Sequence, residues 1–101
     1  GVKCMVTGET ISEVVEAAHI SPYDGRDTNS IENGLLLRVD IHKLFDKYLL
    51  SIHPELLRVV LNPDLSGSGY AFYEGVPLTI DKQSVISNKN LRDHWNQFSS
   101  V

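Results

Sequence analysis

The chain has 101 residues, with nine Lys/Arg against thirteen Asp/Glu, for a net charge of −4. With 42% hydrophobic and 22% charged residues it is excluded from the disordered, collagen-like and coiled-coil classes. No apolar run approaches the roughly 18–20 residues that span a bilayer, and a lone cysteine, Cys4, excludes an internal disulfide or a multi-cysteine zinc site. A chain of this size buries roughly 60–68% of its unfolded surface, enough for one core, so a single domain over 1–101 is expected. On charge alone the acidic balance argues against a free-standing DNA binder. The opening residues do not read as a signal peptide, and Gly1 in place of Met suggests a longer, multidomain natural protein. A cytoplasmic location is expected.

In chain order, Cys4 to Gly8 is a short apolar segment closing in a turn at Thr7-Gly8. Ile11 to Ile20 mixes strand and helix formers, and a strand is expected near His19. Ser21 to Asn33 is a long polar loop, and a loop of that length in a small domain is usually functional. Leu35-Leu36-Leu37 is a buried run. Asp40 has the chemistry of a helix N-cap, with Ile41, Leu44, Phe45 and Tyr48 at helical spacing, so a helix is expected from about Ile41 to Lys47. Leu49 to Ile52 and Leu56 to Leu61 read as strands joined by a turn at His53-Pro54-Glu55. Tyr70 to Tyr73 and Pro77 to Ile80, flanking Glu74-Gly75, read as a second hairpin. Asn90 opens a last helix carrying Leu91, Trp95 and Phe98.

Four polar groups in the first half carry chemistry. His42 and Asp46 are four apart, hence on one helix face, where an imidazole and a carboxylate can grip one divalent cation. An isolated pair of this kind is more often a surface ion pair. His19 lies between an apolar stretch and a polar loop. It fits a general base, since imidazole titrates near neutral pH, or a hydrogen-bonded histidine at a strand end. Asn33 precedes Gly34 and serves either as turn chemistry or as an amide that orients a neighbouring histidine or loop. His53 and His94 read as structural, and Cys4 as a small buried hydrophobe.

Order and spacing join these groups. The segments CMVTG, EAAHISPYDG and NSIENGLLLRVDIHKLFDKYLLSI closely resemble the HNH endonucleases of the ββα-metal superfamily. The branch is the one with an Ala-His-Ile-x-Pro first motif and an Asn-Gly-Leu-x-Leu…His-x-x-Phe-Asp second motif. His19, thirteen residues, Asn33, eight residues and His42 reproduce its His–Asn–His skeleton. The resemblance covers residues 4–52. It implies an α+β fold: a ββα-metal motif, then a β-hairpin region and a C-terminal helix (53–101) that brace it. It implies His19 as general base, Asn33 as the residue holding loop and base in register, and His42 as metal ligand. The implied cofactor is one divalent ion, Mg²⁺ first, with Mn²⁺, Ni²⁺ or Zn²⁺ as alternatives.

Three departures qualify the resemblance. Many relatives place Asp, Glu or His directly before the base as a second ligand; here Ala18 stands there, and Asp46 is the candidate replacement. Many relatives carry two Cys-x-x-Cys pairs around a structural zinc; here one cysteine remains, with Arg38 and Ile41 at the second pair's positions, so no structural zinc is expected. Finally, Arg26, Arg38, Lys43 and Lys47 form only a thin basic footprint for DNA. The expected whole is a metal-dependent DNA endonuclease domain, the effector of a bacterial restriction or anti-phage defence protein. A targeting or ligand-sensing domain would bring it to DNA, homo-oligomers would form when it is active, and no membrane is involved. The competing reading is a catalytically inactive HNH scaffold that binds nucleic acid or a partner.

Overall fold

A computed structural model of the chain describes residues 2–21, 33–80 and 86–100. Strand β1 (Val15–His19) pairs antiparallel with β2 (Gly34–Arg38), with Glu16 opposite Leu37, Ala18 opposite Leu35 and His19 opposite Gly34. Side chains alternate across a strand, so Glu16, Ala18, Leu35 and Leu37 share one face. Ala18, Leu35 and Leu37 are buried there, and helix α1 (Val39–Asp46) packs against both strands through Ile41 and Phe45. The N-terminal segment covers the free edge of β2 through a Met5 N–H to Leu36 carbonyl bond of 2.8 Å. The expected turn follows it, with the Gly8 N–H on the Cys4 carbonyl at 2.9 Å and Gly8 at φ +80°.

Helix α1 begins two residues before the expected start, and Asp40 is not its cap. Strand β2 runs into α1 without a linker, so the last strand residue, Arg38, takes the extended cap conformation. Asp40 sits inside the first turn and accepts the Ile41 N–H at 3.0 Å. The helix ends at Asp46 and is stopped by Tyr48, which adopts φ 57° while its N–H closes on the Phe45 carbonyl at 3.1 Å. A left-handed residue just past the last turn is a common helix stop.

Strands β3 (Leu50–Ile52) and β4 (Val59–Leu61) form the hairpin of the second half. β4 is shorter than the expected Leu56–Leu61. His53 Nδ1 accepts the Glu55 and Leu56 N–H groups at 3.2 and 3.1 Å, and Leu57 takes φ 52°, so those residues belong to the turn. The second hairpin expected around Glu74-Gly75 does not form. Ala71–Tyr73 is a 3₁₀ turn, and Pro77 bridges Arg58 instead. The Gly75 N–H donates to the Val59 carbonyl and the Leu78 N–H to the Leu57 carbonyl, both at 2.8 Å. These bonds dock the segment alongside β4, and Pro77 has no N–H with which to continue a ladder.

Helix α2 (Asn88–Ser99) starts earlier than the expected Asn90, because Ser87 supplies the cap: its side chain accepts the Asn90 N–H at 3.2 Å. α2 packs on β3 and buries Leu91 and His94, while Trp95 and Phe98 remain half-buried. One core therefore runs from beneath α1 to beneath α2. Among the described residues no helix is long and apolar enough to cross a membrane.

Candidate active site

The site forms where β1 meets α1. His42 stands on the second turn of α1 with its ring between two carboxylates. Its Nδ1 lies 2.6 Å from Glu16 Oε1 on β1, and its Nε2 lies 3.1 Å from Asp46 Oδ2 one helical turn on. The ring is 21% exposed, whereas Glu16 and Asp46 are 49% and 55% exposed, so the pair opens to solvent on the carboxylate side.

His19 ends the same strand, exposed and in register with Gly34. Beside it, Asn33 is fully buried and closes the base of the loop. The Asn33 side chain accepts the Ser21 N–H at 2.8 Å and donates to the Ser21 carbonyl at 3.1 Å, copying a two-sided strand pairing with a side-chain amide. The Asn33 carbonyl also accepts the Ile20 N–H at 2.8 Å. From α2, Asn90 Nδ2 donates to Asn33 Oδ1 at 2.8 Å. The residues flanking His19 are thus fixed by bonds from both halves of the chain.

The basic residues divide. Lys43 and Lys47 are exposed on α1. The Arg38 guanidinium grips Asp40 in two bonds of 2.6 and 2.9 Å and lies 5.9 Å from the Tyr73 ring centre. With the Tyr70 hydroxyl donating at 2.9 Å, Arg38 lowers the Asp40 carboxyl to about 2 against the opposing effect of burial. Arg38 therefore spends most of its charge on Asp40 and ties the 70–73 turn to the start of α1. Arg26 lies outside the described residues.

His94 lies behind the site in the core, 5% exposed. It stacks on Phe45 with ring centres 3.6 Å apart, and its Nε2 meets the Phe45 carbonyl at 2.9 Å. A carbonyl only accepts, so Nε2 carries the proton and Nδ1 accepts the Ser51 hydroxyl at 2.7 Å. Its part is structural.

Residues 4–53 match the family model for HNH endonuclease. That segment holds His19, Asn33 and His42 in the geometry just described. A solved structure, a modification-dependent TagI restriction endonuclease, superposes with a TM-score of 0.71 at 26% identity over 94% of this chain. The chain spans about a third, 33%, of that protein. No curated protein matches it. The fold is therefore a mixed α+β domain similar to an HNH restriction endonuclease, carrying the two hairpin regions and helices of a nuclease module.

HNH nucleases are generally metal-dependent, and the donor set here fits one hard or borderline divalent ion. Two donors of an octahedral ion at about 2.1 Å stand about 3.0 Å apart when adjacent; His42 Nε2 and Asp46 Oδ2 are 3.1 Å apart. Among the described residues no group of three or more His, Cys, Asp or Glu is gathered tightly enough to hold an ion unaided. His42 and Asp46 would thus hold it with water and phosphate completing the shell, as is usual for Mg²⁺. Two neighbours of this site escape a scan for motif residues. Glu16 becomes visible only when β1 is read with a period of two, which puts it on the face of Ala18. Asn90 has no local signal at all, because its partner is 57 positions away.

Proposed function

We propose that the chain is the nuclease module of a metal-dependent DNA endonuclease that hydrolyses phosphodiester bonds. His19 accepts the proton of the attacking water, at the strand end held by Asn33. A divalent ion held by His42 and Asp46 supplies polarisation of the scissile phosphate and stabilisation of the leaving 3′ oxygen. Asn33 keeps the loop entry fixed so that His19 needs no reorganisation as it takes the proton of the attacking water. Lys43 and Lys47, with Arg26 and to a lesser degree Arg38, contact flanking phosphates. The observation that carries this reading is the His42–Asp46 donor pair joined through Glu16 to the strand that ends in His19.

The likeness to part of a modification-dependent restriction enzyme supports a role as effector in restriction or anti-phage defence, in the cytoplasm. The net charge of −4 supports only weak affinity for DNA, which fits a module delivered by a targeting or ligand-sensing domain. One such site cuts one strand, so a double-strand break requires two protomers.

Plasmid nicking with Mg²⁺, Mn²⁺ or EDTA tests the reading. Wild type is expected to nick only with a divalent ion, and His19→Ala to lose about 10²–10⁴-fold in rate. Equal nicking by the variant overturns the assignment of His19, and DNA binding without turnover by the protein with its natural partner domains favours the inactive scaffold.

A further inference from the structure

The contact between Glu16 and His42 joins residues 26 positions apart, from strand to helix, at 2.6 Å. Helical periodicity does not produce such a contact; it requires the strand face and the helix face to be set against each other. Glu16 is opposite Leu37 in the register, on the strand face that α1 covers. An ionised carboxylate only accepts hydrogen bonds, so the proton in this contact belongs to Nδ1 of His42. The lone pair of the neutral ring is then on Nε2, the nitrogen that faces Asp46.

We propose that Glu16 is the positioning residue of the metal site: it fixes the tautomer and ring plane of His42, so that Nε2 and the Asp46 carboxylate present one donor pair. The inference rests on the reading that His42 and Asp46 hold the ion. The position directly before His19, Ala18, is a buried methyl with no donor atom. Glu16, two residues earlier on the same face, brings the strand's carboxylate to the other side of the imidazole. The two ring nitrogens point away from each other, so an ion at Nε2 is out of reach of a carboxylate bonded to Nδ1. Glu16 therefore acts through His42, as carboxylates behind metal-bound imidazoles generally do, where their loss weakens metal binding about 10–100-fold. Its side chain is 49% exposed, so its part in folding is small.

The test uses Mn²⁺ as probe, with calorimetric titration of wild type, Glu16→Ala, Glu16→Gln and His42→Ala, thermal melts without metal, and nitrogen-15 NMR of the His42 ring in metal-free protein. Glu16→Ala is expected to bind Mn²⁺ about 10–100-fold more weakly at an unchanged melting temperature, with the His42 proton redistributed towards Nε2. Glu16→Gln, whose amide oxygen still accepts from Nδ1–H, is expected to retain most of the affinity. Wild-type Mn²⁺ affinity and an unchanged tautomer in Glu16→Ala would overturn the inference, as would equal losses in the two Glu16 variants. Mn²⁺ binding that survives in His42→Ala would instead overturn the underlying metal assignment, and the metal-free tautomer would still decide whether Glu16 holds the ring.

Discussion

Asn33 Oδ1 accepts two hydrogen bonds of 2.8 Å, one from the Ser21 N–H at the loop entry and one from Asn90 Nδ2 on α2. The amide thus ties the residues beside His19 to a helix that lies outside the family's motif. Asn90→Ala removes only the second bond and is expected to cost about 1 kcal/mol of stability. Asn33→Ala strips the Ser21 N–H and carbonyl of their partner inside a buried site and is expected to cost about 2–3 kcal/mol. Urea midpoints of the two variants check the order; an Asn90→Ala midpoint equal to wild type removes α2 from the support of the site.

A second prediction concerns pH. Burial lowers the pKa of His94, and its bond to the Phe45 carbonyl only partly offsets this. The unfolded chain therefore takes up this proton first, near pH 6.5, and the native state later. The His94 contribution is complete above about pH 6.5 and is lost as pH falls through and below that value. His94→Leu is expected to be about 2 kcal/mol less stable at pH 7.5, because the Ser51 hydroxyl and Phe45 carbonyl lose their partner, yet to lose less on going to pH 5. Denaturation of both proteins at the two pH values measures the difference; parallel pH dependences would refute the assignment.

A third prediction concerns DNA. Replacing Lys43 and Lys47 together by Ala is expected to weaken binding evenly across sequences and to reduce the slope of log affinity against log salt by up to about 2. Fluorescence anisotropy over a salt series reads both quantities. An unchanged slope would place the phosphate contacts elsewhere.

The ββα half was legible because its signals are local. The leucine run 35–37 and the helical spacing from Ile41 to Tyr48 speak within a few residues, and the His–Asn–His spacing within the 24 residues from His19 to His42. The helix starts were displaced because capping depends on the chain entering the helix: Arg38 turns out of a strand, and Ser87 offers its oxygen to the Asn90 N–H, so that α2 begins at Asn88. The hairpin expected at Glu74-Gly75 failed for a different reason. The turn forms, but the Gly75 N–H and the Val76 carbonyl pair with Val59 of β4, while the Glu74 and Val76 N–H groups close only short turns on Ala71 and Tyr73, a competition that no local pattern records. Within the site, His42 and Asp46 were visible as a pair, whereas Glu16 needed the register of β1 against β2.

Asn90 and His94 sit one turn apart on α2, one reaching the loop clamp beside His19 and the other the core beneath α1. The recognised sequence pattern and the folded unit therefore differ in extent in this protein. A fragment ending at residue 53 carries every letter of the recognised pattern but leaves behind the helix that anchors it. Recombination that moves the nuclease between proteins has to carry the chain through α2, or find in the new host a helix able to offer an amide and a buried imidazole at the same pitch.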